Sequence, residues 1–275
     1  MARHQFSLGH GALTGRVRRV ALIAALLASP GLAPCAEWQG ALGLGAQRFN
    51  NTEFDNAGTT LVRETGWLPG VAARVVWQAD RLGFFASGEA YQHGIAYRGQ
   101  TQAGVPAQST SATRLIQLRA GVSYAVSARV AGFVAGEWDD WRRGIESTAG
   151  ATGLKERSVS KRFLLGARGQ WDGATVGVLG IDGALVIAGP ERLDVGFSGL
   201  FDGATLTTRR AHGWRIGASV RPSAAPRLEL RSGFDRITVP RSGDVPLMRA
   251  GQFIGTIAQP EHARRAIILT LSTSF

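Results

Sequence analysis

The stretch Ala266-Ile-Ile-Leu-Thr-Leu-Ser-Thr-Ser-Phe275 closes the sequence and decides how the rest is read. Taken in twos from the end, one set of positions is Phe275, Thr273, Leu271, Leu269 and Ile267. The other is Ser274, Ser272, Thr270, Ile268 and Ala266. Successive side chains of a strand point to opposite faces, so this is a ribbon with one apolar face and one mostly small or polar face. It finishes on an aromatic ring. Chain ends fray in water, and a soluble strand has little use for a terminal Phe. A strand that closes a barrel in lipid does have one: the ring sits at the membrane interface while the backbone pairs with the first strand.

The segment resembles the C-terminal targeting strand of bacterial outer-membrane β-barrels, with Ile267, Leu269, Leu271 and Phe275 as its assembly signal. The resemblance implies handling by the barrel-assembly machinery during biogenesis and residence in the outer membrane. At the other end, Arg3, Arg16, Arg18 and Arg19 precede an apolar run from Val20 to Ala28, followed by Ser29-Pro-Gly-Leu-Ala-Pro-Cys-Ala36. This is the layout of a secretory signal peptide, and the run is too short for a membrane helix, which needs about 20 residues. Cleavage near residue 36 divides the chain into a signal peptide, 1–36, and a single barrel domain, 37–275. Cys35 is the one cysteine; if it leaves with the signal, the mature chain has no disulfide and no thiol chemistry.

No apolar stretch after residue 36 reaches the length of a membrane helix, and hydrophobic residues make up 44 % of the chain. A barrel evades a hydropathy scan because lipid-facing and lumen-facing residues alternate and cancel. The formal charge is +11, of which the signal region's four arginines leave +7 on the mature chain. Lys155 and Lys161 are the only lysines. A nucleic-acid binder clusters its charge on one face; here the arginines are spread over every strand and loop. Anionic lipopolysaccharide, or acidic partners inside a barrel, suit that distribution better.

Trp67 to Trp77 is the clearest strand. Trp67, Pro69, Val71, Ala73, Val75 and Trp77 share one face, and Gly70, Ala72 and Arg74 the other. At about 3.3 Å per residue and a tilt near 40°, the two tryptophans are separated by roughly the 25 Å height of a barrel's apolar band. They then belong to two aromatic girdles, to which Trp38, Trp171, Trp214 and Phe275 also contribute. Similar alternation marks Trp38 to Phe49, Leu82 to Arg98, Leu115 to Val126, Arg129 to Trp141, Arg162 to Trp171, Ala174 to Ile187, His212 to Arg221 and Arg227 to Val239. Short connections near residues 80, 127, 172 and 224 alternate with long ones near 56, 105, 150, 200 and 250, as short periplasmic turns alternate with long external loops in outer-membrane barrels. The expected fold is all-β: a closed antiparallel transmembrane β-barrel of about ten strands. Eight are an alternative, and twelve follow if Arg192 to Leu206 forms a hairpin of its own.

With the girdle parity facing lipid, the inward set contains Arg74, Arg119, Arg168, Arg215, Arg227 and Arg231, together with Glu89, Glu137, Asp182, Glu229 and Asp235. A barrel of this size is filled by its own side chains, and enclosed charges must be paired or solvated. The expectation is a lumen charge network, with a narrow anion-favouring pore as the alternative. Glu137-Trp-Asp-Asp-Trp141 and Arg209-Arg-Ala-His212, at the outer ends of two strands, resemble the acidic and His pairs of omptin proteases. That likeness breaks down because no Asp stands two residues before His212, and Asp139 and Asp140 would point to opposite faces. Lipid hydrolases need a His activating a Ser; His93, beside Gln92 and Gly94, has no matching serine spacing, and His262 lies in a loop. No metal spacing, phosphate loop or nucleotide signature stands out. The sequence thus points to a non-catalytic outer-membrane barrel without cofactors, structural, surface-interacting or a narrow porin-like channel. A rim hydrolase and the barrel subunit of an export system are the alternatives.

Overall fold

The computed structural model describes residues 36–275 apart from 101–104, 149–151 and 174–175, so the expected signal peptide lies almost wholly outside the described residues. Residues from Glu37 to Phe275 form one compact unit. The strands are β1 (Ala36–Phe54), β2 (Thr60–Ala79), β3 (Leu82–Gln100), β4 (Pro106–Ala125), β5 (Val130–Ile145), β6 (Leu154–Gly173), β7 (Gly177–Gly196), β8 (Ala204–Arg221), β9 (Leu228–Val239), β10 (Val245–Arg249), β11 (Gln252–Ile257) and β12 (Glu261–Ser274). Ten of them close a barrel in chain order from β1 to β9 and then β12, while β10 and β11 pair only with each other.

Closure is made by the terminal segment. β12 pairs with β1 from Ala41↔Ser274 to Phe54↔Glu261, and Gly40 and Phe275 exchange backbone hydrogen bonds of 3.1 and 3.0 Å. The Phe275 ring sits against Gly40: a Cβ there would fall within 3.2 Å of three ring carbons. Ile267, Leu269, Leu271 and Phe275 all stand exposed on the outer wall, as do Val71, Leu118, Leu185 and Ile216, and together they form a lipid-facing surface.

The long polar connections expected from the sequence are mostly strand. The outer turn between β1 and β2 is only the segment 55–59, where the Asp55 carboxylate accepts the N–H groups of Ala57 and Thr59 at 2.9 and 2.7 Å. The polar stretch 50–64 otherwise belongs to β1 and β2, and 142–158 largely to β5 and β6. The physical reason is height. β2 has 20 residues; at about 3.3 Å per residue and a tilt near 40° it stands roughly 50 Å tall, about twice the apolar band. Above the band the outer face no longer has to be apolar, so the lipid-facing stripe that marks a membrane-crossing ribbon disappears although the ladder continues. Residues 188–211 likewise extend β7 and β8, and the extra hairpin arises instead at β10–β11, inside the last connection. Its Leu247 packs with Leu193, Val195, Phe197 and Leu206, the inward residues of β7 and β8 above the membrane.

One irregularity sets the inward face. The ladder between β7 and β8 slips on either side of Pro190. Below it the buried residues are Val186 and Ala188; above it they are Glu191, Leu193 and Val195. A bulge inserts one residue and re-aims those that follow. Here it turns Glu191 into the lumen.

Candidate functional site: a layered lumen of arginines and carboxylates

Each strand delivers its inward parity to the lumen, and the charges fall into three layers. In the outermost, the Arg143 guanidinium of β5 reaches three carboxylates: Glu53 of β1 at 2.7 Å, Glu64 of β2, and Glu156 of β6 at 2.6 Å. Asn51 donates to Glu64 and Glu53 at 3.3 and 3.4 Å. The Trp141 ring beneath them lies between two cations, Arg143 at 5.0 Å and Arg264 at 5.3 Å from its centroid. Such contacts contribute about 2 kcal/mol each where the cation is desolvated.

The middle layer is balanced. Glu137 accepts from three arginines: Arg119 at 2.7 Å, Arg162 at 3.0 Å and Arg215 at 2.8 Å. Asp139 accepts from Gln117 at 2.9 Å, Arg162 at 2.8 Å and Arg264 at 3.1 Å. Arg215 also holds Asp235, and Arg264 reaches Glu191 at 2.8 Å, with His262 Nε2 3.6 Å from the same carboxylate. Four arginines (119, 162, 215 and 264) face four carboxylates (137, 139, 191 and 235). The side chains of Glu137, Asp139 and Arg162 are 0, 1 and 2 % exposed, so the layer is held closed by its own ion pairs.

The innermost layer, toward the periplasmic turns, is looser and surrounds a cavity of about 420 Å³. Arg231 pairs with Asp182, and Arg221 with Glu229 at 3.3 Å. Arg168 donates to Ser123 Oγ at 3.0 Å, and Glu89 accepts from the Tyr91 hydroxyl at 2.9 Å.

The structure therefore places Arg74, Glu89, Arg119, Glu137, Arg168, Asp182, Arg215, Glu229 and Arg231 in the lumen, but not as one ladder. Arg119, Glu137 and Arg215 come together, and so do Asp182 with Arg231. Glu89 meets Tyr91 rather than an arginine. Missing from the sequence reading are the whole outer layer, Glu191, Arg264 and His262; the last was placed in a loop and is a buried lumen residue of β12. Glu53 and Asn51 continue the inward parity of Gln47, so the signal was there once β1 was allowed to run on. Trp38, Trp67, Trp171 and Trp214 stand on the outer wall, and Trp38, Trp77 and Phe84 pack together at the periplasmic end. Asp139 and Asp140 do face opposite ways: Asp140 is held on the outer wall by Arg142 at 3.1 Å and Arg157 at 2.8 Å. His212 is exposed on the outer wall as well. The two rim segments that resembled protease pairs therefore do not converge.

No protein-family model matches the chain, and no curated protein matches it in sequence. Solved structures match in fold. The outer-membrane protease OmpT of Escherichia coli superposes with a TM-score of 0.58 at 8 % identity, over 90 % of this chain and 99 % of that one. The translocator domain of the autotransporter NalP from Neisseria meningitidis gives 0.47 at 11 % identity, over 94 % and 95 %. Neisserial surface protein A gives 0.36 at 10 % identity, over 87 % and 99 %. At such identities the likeness is one of fold. By that fold the chain is a closed ten-stranded antiparallel β-barrel of the kind found in bacterial outer membranes, with an exposed apolar outer wall suited to lipid.

Proposed function

We propose that this is a non-catalytic outer-membrane barrel with a sealed lumen, serving a structural or surface-interacting role rather than conducting solutes. The observation that carries the proposal is the middle layer, where arginines and carboxylates of seven strands bond across the barrel. A pore needs sites that ions can both enter and leave, and paired, dehydrated side chains offer neither. The same burial argues against hydrolysis: His262 and Glu191 form the one His–carboxylate pair of the described lumen, and both are almost wholly enclosed. The outer wall above the apolar band carries Arg48, Arg114, Lys161, Arg236 and Arg265, which suits the phosphates of lipopolysaccharide as a surrounding partner.

The test is electrical. Protein inserted into planar bilayers should give no ohmic steps above the bare membrane. Steady unitary currents whose anion preference shifts when Arg119 or Arg168 is neutralised would overturn the sealed lumen in favour of the narrow channel.

A further inference from the structure

We propose that the periplasmic half of the lumen is a binding pocket for a soluble phosphoryl dianion, phosphate itself or a small phosphate monoester, entering from the periplasm. The cavity of about 420 Å³ has its mouth among Gln39, Gln78 and Arg227, residues of the periplasmic strand ends and turns. Toward the outside it is blocked: Phe85 and Phe133 meet edge to face at 6.0 Å, and beside them Arg119 is bound to Glu137. It is therefore a blind pocket, not a segment of a channel.

Its walls are cationic in a particular way. Arg221 and Arg231 have carboxylate partners, whereas Arg74 of β2 has neither an ion pair nor a hydrogen bond among the described residues, and Arg168 of β6 has only the Ser123 hydroxyl. Arg74 also feels the like charges of Arg231 and Arg168, with Glu229 and Asp182 as its acidic neighbours. Both guanidiniums are partly exposed to the cavity, whose wall carries six arginines against four carboxylates, and an anion bound between them would offset that excess. Each guanidinium presents a planar fork of donors that fits two oxygens of one oxyanion. Two forks on opposite strands of a narrow barrel fit a tetrahedral dianion better than a planar carboxylate. Small side chains leave the space for it: Ala72, Ser87, Ser219 and Ser272 line the same cavity.

The experiment is calorimetric titration of the folded barrel in non-ionic detergent, at constant ionic strength in chloride. Inorganic phosphate and glycerol 3-phosphate are the probes, with glycerol and succinate as controls. Saturable one-to-one binding of both phosphoryl probes is expected, with at least tenfold weaker affinity in Arg74→Gln and in Arg168→Gln and no change in Arg48→Gln on the outer wall. Ala72→Phe fills the cavity while leaving every charge in place and should abolish binding. Phosphate should also raise the unfolding temperature of the wild-type protein above that in matched chloride, a readout that needs no variant. Absence of both binding and thermal protection in the wild type would overturn the proposal. So would binding indifferent to Arg74→Gln, Arg168→Gln and Ala72→Phe, or succinate binding as tightly as phosphate. None of these outcomes depends on whether the barrel conducts, so this pocket and the sealed lumen stand or fall separately.

Discussion

Glu137 is the residue on which the lumen turns, because three guanidiniums share its two oxygens and its side chain is wholly enclosed. Replacing it by Ala leaves Arg119 without its carboxylate and strips Arg162 and Arg215 of one partner each. Removing one member of a buried pair costs about 3–5 kcal/mol, since the remaining charge has lost its compensation. Glu89 supplies the contrast: its hydrogen bond comes from the Tyr91 hydroxyl, and the loss of one such bond to a charged group costs about 1.5–3 kcal/mol. Urea unfolding in detergent micelles, followed by the heat-modifiable shift on gels, should rank Glu137→Ala below Glu89→Ala. Equal midpoints for the two variants would mean that the layered pairing does not carry stability. Parity alone placed both glutamates inward, but parity could not say which arginine each would meet. That depends on the stagger between strands around the barrel, which no single strand records.

Element scale explains what was legible and what was not. Where a ribbon crosses lipid, one face must be apolar, and the alternation of β2, β4 and β12 could be read directly. Where the same ribbon stands above lipid the apolar outer stripe is gone and only a polar inward parity is left in β1, β2, β5 and β6; hence 50–64 and 142–158 looked like loops and are largely strand. The bulge at Pro190 left only the Gly189-Pro190 pair as its trace, which marks a bulge or a turn equally well until the strand around it is known. It has a consequence that can be measured. Deleting Gly189 removes the extra residue and should send Glu191, Leu193 and Val195 to the outer wall, leaving Arg264 with Asp139 alone. Assembly of that deletion should fall well below that of Glu191→Gln, which loses only the charge. Comparable yields of folded barrel in both would show that the bulge does not fix the inward face. At the closing seam, deleting Phe275 removes the backbone pair with Gly40 and the ring that covers it. The folded, heat-modifiable fraction in the outer membrane should drop, and unchanged assembly would count against the terminal strand as the closing signal.

Across the whole molecule the charge is uneven along the barrel axis. The outer layer sets one arginine against three carboxylates, the middle is neutral, and the inner layer has guanidiniums to spare. The outer wall is uneven too: apolar over its lower half, basic and hydroxylic above. A barrel roughly 50 Å tall with an apolar band of about 25 Å must project from the membrane by about half its height, and the periplasmic turns are too short to do so on that side. The projection is therefore outward, and it can be mapped chemically because the described residues contain no cysteine. Single cysteines at Thr110 of β4 and Thr205 of β8, both exposed on the outer wall above the band, should react in intact cells with a maleimide that cannot cross membranes. Cysteines at Leu118 and Ile187, exposed on the same wall but within the band, should stay unlabelled until the membrane is dissolved, since lipid covers them. Trp67 and Trp77 give the matching ruler: lipids carrying quenchers at known depths should dim them at opposite interfaces in single-Trp variants. Labelling of Leu118→Cys as fast as Thr110→Cys, or both tryptophans at one depth, would mean that the apolar wall is not where the bilayer lies.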